Sequence, residues 1–120
     1  EYPMAFGQML IGLDLWLRRP VEIALIGEPE HEAMRAMLDV VRQPYRPLAL
    51  VALSPRNGDS STVPPLLRMR TLRDGQPAAY VCENFVCAAP VTSADALAGL
   101  LDEVEEEDVD DILTDEGEDR

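Results

Sequence analysis

Lysine is absent from this chain, and all ten basic residues are arginine. There is one histidine, and there are two cysteines. These shortages exclude most reaction centres. Nucleophilic catalysis of the Ser-His-Asp or Cys-His kind would have to recruit His31, and no spacing puts it beside a nucleophile. Zinc takes four protein ligands in a closed site, or three and a water. Cys82 and Cys87, with four residues between them, and His31 far upstream do not supply them. No catalytic residue, metal ligand or cofactor is expected from these residues. No apolar run reaches the roughly 18 residues that cross a bilayer. Glu1-Tyr2-Pro3 lacks the basic start of a signal peptide, and an opening without Met suggests an excised fragment. Two cysteines do not make a disulfide scaffold, so a reducing, cytoplasmic setting is the default. The arginine-only bias suits a GC-rich genome and says little about chemistry.

What the chain does have is acid, unevenly placed. The net charge is −13 over 120 residues, but residues 1–101 hold 11 acidic and 9 basic side chains, while residues 102–120 hold 12 acidic ones and Arg120. The fold is near neutral and the acidity is a tail. Like charges in a run repel and stay solvated, so residues 105–120 are expected to be disordered. Nucleic acid is excluded as a partner because backbone binding needs a basic footprint. An anionic membrane surface is disfavoured on the same ground.

Hydrophobic spacing gives the elements. Phe6, Met9, Leu10, Leu13, Trp16 and Leu17 recur at three and four, which predicts an amphipathic helix over 2–18, closed by Pro20. Its stripe calls for a large partner surface; a homodimer through Phe6, Met9, Leu13 and Trp16 would supply one. Residues 21–27 read as a strand buried on both faces, as in a parallel sheet. Glu30 to Gln43 reads as a helix with Ala33, Met34, Met37, Leu38 and Val41 inward. Residues 48–53 read as a second strand, 54–62 as a loop, 64–69 as a short helix or turn, and Asp74-Gly75 as a turn. Residues 78–82 and 86–90 read as a hairpin. Ser93 caps a last helix that frays after about Glu103, with one weak turn at Val109, Ile112 and Leu113. The fold class is α/β: a small mixed sheet of about four strands flanked by helices. Its divisions are a helix over 1–19, a module over 20–104 and a tail over 105–120.

The cysteines carry the one chemical question. If Asn84-Phe85 is a two-residue turn, Glu83 pairs with Val86 and Cys82 faces Cys87. That would be a non-hydrogen-bonded pair with Cα atoms about 4.5 Å apart. A bond there would be strained and easily reduced. Two reduced thiols packed as small apolar residues are the default reading; a disulfide or redox pair is the alternative. Asn-Phe is not a preferred hairpin turn, and a longer loop would move the thiols out of register. Gly27-Glu28-Pro29-Glu30 stands where a phosphate loop would, between strand and helix, but it holds one glycine, no lysine and acids that repel an anion.

Residues 79–91, with Asp74-Gly75-Gln76-Pro77 before them, resemble the C-terminal end of a family of large thioredoxin-domain-containing proteins. That family includes the spermatogenesis-associated thioredoxin-like protein of animals and bacterial counterparts. The quoted core is Tyr80-Val81-Cys82-Glu83-Asn84-Phe85, then Cys87 and Pro90-Val91. The helix Tyr2–Leu17, the strand Val21–Gly27 running into Glu28-Pro29-Glu30, and Val91-Thr92-Ser93 opening the last helix follow in the same order. The resemblance covers about residues 1–101.

It implies a parent with a thioredoxin-like domain, then an (α/α)6 barrel similar to sugar epimerases and six-hairpin glycosidases, then this module. The parent's redox cysteines and its cavity would lie upstream, and its activity would be redox or carbohydrate-related. Residues 2–18 would be the last barrel helix or its exit, and the upstream domains would be the module's partners. No catalytic motif of the family is present to carry over. The expected function is therefore a non-catalytic structural module rather than an enzyme, with Cys82 and Cys87 as a redox pair the alternative. The element order is also that of a thioredoxin core, with Pro77 before the third strand. The redox cysteines of that core would fall at Gly27–Glu30, where there are none, so a degenerate thioredoxin-like topology is expected.

Overall fold

Strand β1, Val21–Ile26, is the centre of the molecule, and its sequence explains why. Alternate side chains of a strand point to opposite faces. Ile23 and Leu25 enter one apolar cluster, while Ala24 and Ile26 enter another. All four are fully buried. In this computed structural model residues 6–58, 62–84 and 86–114 are described, with side chains as far as Glu105. The other elements are α1 (Gly7–Leu17), α2 (Glu32–Arg42), β2 (Ala49–Ser54), a 3₁₀ turn (Pro65–Leu67), β3 (Ala78–Glu83), β4 (Val86–Cys87) and α3 (Ala94–Thr114). The sheet order is β2-β1-β3-β4. β1 and β2 run parallel, Val21 beside Ala49. β3 runs antiparallel to β1, Ala24 beside Tyr80, and β4 antiparallel to β3. The fold is α/β, a four-stranded mixed sheet with three helices, as the sequence indicates.

Helices α2 and α3 cover one face. Met34, Met37 and Val41 come from α2 and Leu97 and Leu101 from α3, packing on Ile23, Leu25, Ala79 and Val81. The opposite face is closed by Leu67 from the 3₁₀ turn, against Ala24, Ile26, Ala78 and Tyr80. Helices α2 and α3 each have a local reason to start. The ring of His31 accepts from the Ala33 amide, 3.2 Å away. The Ser93 hydroxyl accepts from the Ala96 amide at 3.3 Å, the N-cap contact expected of a serine there. Glu32 in the first turn and Arg42 in the last suit the dipole of α2. Arg46 joins the two helices. Its Nη1 donates to the Val40 carbonyl at 3.0 Å, and its Nε to Glu105 at 2.7 Å.

Of the helix expected over 2–18, residues 2–5 lie outside the described residues, and three other boundaries depart from the sequence reading by two residues or more. Helix α2 opens at Glu32 rather than Glu30, because His31 has extended backbone and takes the capping position. β4 holds two residues rather than five. The chain leaves the ladder after Ala88 and returns at Val91, whose amide and carbonyl both bond Ala79. Helix α3 runs to Thr114, past the fraying expected at Glu103. Leu, Ala and Glu are strong helix formers, and like-charge pairs on a solvated helix cost only tenths of a kcal/mol each. Of the tail expected to be disordered, residues 115–120 lie outside the described residues.

Gly99 lies exposed within α3, and an added Cβ there would meet no atom within 4 Å. Gly99→Ala is therefore expected to raise stability by about 0.5–1 kcal/mol, read as a higher urea midpoint.

Candidate functional site

The hairpin β3–β4 brings the two cysteines together. Glu83 pairs with Val86, and Cys82 with Cys87. The Ala88 amide donates to the Val81 carbonyl at 3.0 Å, so Cys82 and Cys87 form the next, non-hydrogen-bonded pair of the ladder. Their Cα atoms are 4.0 Å apart, and the two sulfurs are joined in a disulfide. The turn works without Asn-Gly because Asn84 itself adopts positive φ, 49°. Asparagine tolerates the left-handed region better than most side chains. Phe85 lies outside the described residues. The default reading of the sequence, two packed free thiols, is thus replaced by a bond. Close register alone brings the sulfurs within bonding reach.

The two halves of the disulfide differ in access. Cys82 is 2% exposed, whereas Cys87 is an exposed residue on the short edge strand. Above the bond lies Arg70, absent from the expected site residues. Its Nη2 donates to Cys87 Sγ at 3.0 Å and to Cys82 Sγ at 3.3 Å. Its guanidinium carbon sits 5.0 Å from the centre of the Tyr80 ring, within cation–π range. Tyr80 holds this segment in place. Its hydroxyl donates to the Thr71 carbonyl at 2.8 Å and accepts from the Thr71 amide at 3.3 Å. The Arg70 amide donates to the Leu67 carbonyl at 3.3 Å, tying it to the 3₁₀ turn. Arg70 Nε is buried with no acceptor. Among the described residues the ion pairs are Arg18–Asp14 and Arg46–Glu105, and Arg70 is in neither. No signal in the sequence could have found it, since 12 and 17 residues separate it from the two cysteines.

His31, the imidazole weighed for catalysis and for zinc, is an exposed helix cap far from the hairpin in sequence. Among the described residues no three His, Cys, Asp or Glu side chains are grouped to hold a metal ion. The Gly27–Glu30 segment is a strand-to-helix turn. Gly27 has φ of 145°, and its amide donates to the Ser54 carbonyl at 2.8 Å.

Helix α1 is the second surface of interest. None of its residues is buried. Leu10, Ile11, Leu13 and Leu17 are all exposed, so apolar groups circle the helix rather than line one stripe. Trp16 is 81% exposed. An open cleft of about 730 Å³ lies beside it, lined by Leu15, Trp16, Arg19, Glu22, Leu50 and Asn84 among others.

Fold and hairpin together define a small mixed α/β module carrying one disulfide and one apolar helix that is unpartnered among the described residues. The chain is similar to spermatogenesis-associated protein 20 of Homo sapiens, 31% identical over 104 residues. The alignment takes in 82% of this chain but only 13% of that protein, so the chain spans a small part of its relative's length. No protein-family model matches the chain, and no solved structure does. Among the described residues, no helix is long and apolar enough to cross a membrane.

Proposed function

We propose that this chain is a non-catalytic accessory module of a larger protein, a bacterial cytoplasmic member of the thioredoxin-domain-containing family. In that parent it packs through α1 against upstream domains, an (α/α)6 barrel among them. The observation that carries this reading is the exposed apolar surface of α1, which no other described element covers. The similarity over one eighth of a long relative supports it. The strand order supports a degenerate thioredoxin-like topology. β1 and β2 are parallel neighbours, and β3 and β4 are antiparallel. α2 and α3 share one face and the 3₁₀ turn takes the other. The redox cysteines of such a fold would sit at Gly27–Glu30, and none is there.

Trp16 reports on this reading because it is the only tryptophan. Detached from a partner, the chain is expected to self-associate, with Trp16 emission moving to the blue as concentration rises. Leu13→Glu is expected to abolish both effects. A monomer in sedimentation at every concentration, with the emission of a hydrated indole, would rule out α1 as a docking surface.

The Cys82–Cys87 bond favours a second reading compatible with the first, a dithiol/disulfide pair that cycles. In a reducing compartment a disulfide is usually transient, catalytic or sensing.

A further inference from the structure

We propose that Arg70 makes the Cys82–Cys87 hairpin a thiol–disulfide exchange site, by holding a positive charge where reduction creates thiolates. The proposal deepens the dithiol/disulfide reading of this pair and is independent of docking through α1. Three observations carry it. Arg70 Nη2 lies within hydrogen-bond reach of both sulfurs, 3.0 and 3.3 Å. Among the described residues Arg70 forms no ion pair, and its buried Nε has no acceptor. Only one of the two cysteines is open to an incoming reagent.

A cation whose Nε is buried without an acceptor, and which has no ion pair among the described residues, is held at a cost. A neutral disulfide sulfur is a weak acceptor and relieves little of that cost. A thiolate in the same place is a full counter-charge, joined by charge-assisted hydrogen bonds about twice as strong as neutral ones. Arg70 therefore favours the reduced, ionised hairpin over the bonded one. It also lowers the proton affinity of whichever sulfur is freed, as cationic neighbours of reactive cysteines do.

The geometry orders the steps. A thiolate of a dithiol reductant attacks Sγ of the exposed Cys87. The Cys82–Cys87 bond breaks, a mixed disulfide forms on Cys87, and its electron pair leaves on Cys82 Sγ, beneath Nη2. The reductant's second thiolate then attacks its own sulfur in the mixed disulfide and expels Cys87 as a thiolate. The dithiol leaves as its cyclic disulfide, two electrons poorer. Its two protons pass to the cysteines, or to solvent for as long as Arg70 keeps a sulfur ionised. In reverse, Cys87 is the attacking thiolate and Cys82 the resolving one. Tyr80 is a positioning residue, its ring against Arg70 and its hydroxyl fixing Thr71.

The test uses the whole chain reduced with dithiothreitol, then alkylated with iodoacetamide across a pH series and read by mass. In the folded protein, Cys87 alkylation is expected at lower pH than in the same chain unfolded in urea. Arg70→Met should raise that midpoint and slow alkylation at neutral pH about tenfold, the effect of one pH unit in thiolate population. Arg70→Lys should restore most of the rate. A folded profile that overlays the unfolded one, or that Arg70→Met leaves unmoved, overturns the role of Arg70 while the pair itself still opens. A bond that millimolar dithiothreitol cannot open in the folded protein overturns the dithiol reading and the proposal with it. The folded-versus-unfolded comparison needs no substitution, so it stands even if Arg70→Met does not fold.

Discussion

Leu25→Ala is expected to lower the free energy of unfolding by about 2–5 kcal/mol, the range for deleting a buried leucine side chain. Leu25 lies in the middle of the sheet, paired with Leu53 on β2 and Ala79 on β3. It is fully buried among Met34, Met37, Val81 and Leu97. Two strands and two helices fix its surroundings, so the space left by three carbons and their hydrogens would not collapse cheaply. Small domains hold only about 5–15 kcal/mol in total, so this one change should remove a large share. Leu50→Ala on the edge strand is the control. Leu50 is 38% exposed, and the change should stay within about 1 kcal/mol. Urea denaturation followed by circular dichroism reads both. A loss at Leu25 no larger than at Leu50 would refute the assignment of β1 as the centre of the core.

Gly27→Ala should cost about 2–4 kcal/mol by a different route. Gly27 has φ of 145°, where side-chain-bearing residues are rare, and a Cβ there would lie 2.8 Å from the Pro77 Cβ. Its amide is committed to the Ser54 carbonyl at the end of β2. The backbone thus cannot turn away without releasing both the β2 end and the start of β3. The same substitution at Gly99 is expected to stabilise, so the two glycines should move the urea midpoint in opposite directions. A Gly27→Ala protein as stable as the parent would show that the turn adjusts freely.

The elements were legible where local rules decide them. β1 shows an apolar run from Ile23 to Ile26 because both faces are covered there. Met34, Met37 and Val41 recur at three and four because one side of α2 meets the sheet. Ser93 starts α3 because its hydroxyl reaches the Ala96 amide. The hairpin register followed from counting residues around Asn84. Other features depend on distant groups and left no trace in spacing. β2 reads as apolar as β1 yet lies at the sheet edge, with Val51 46% exposed, because strand order is a tertiary outcome. β4 is short because Val91 returns to Ala79, a pairing no alternation encodes. Arg70 reaches the cysteines only after the 3₁₀ turn has been laid across the far face of the sheet. Of the candidate site, then, the sequence showed the two sulfurs and missed the cation above them.

Arg46 has a consequence for how the molecule comes apart. Its side chain is 10% exposed, bonded at one end to the last turn of α2 and at the other to Glu105. Peeling α3 away would take the Glu105 carboxylate from that guanidinium. Lifting α2 would take the Val40 carbonyl from it in turn. The two helices therefore share one opening event, a single cooperative unit laid over the sheet, and partial detachment of either is penalised in the other.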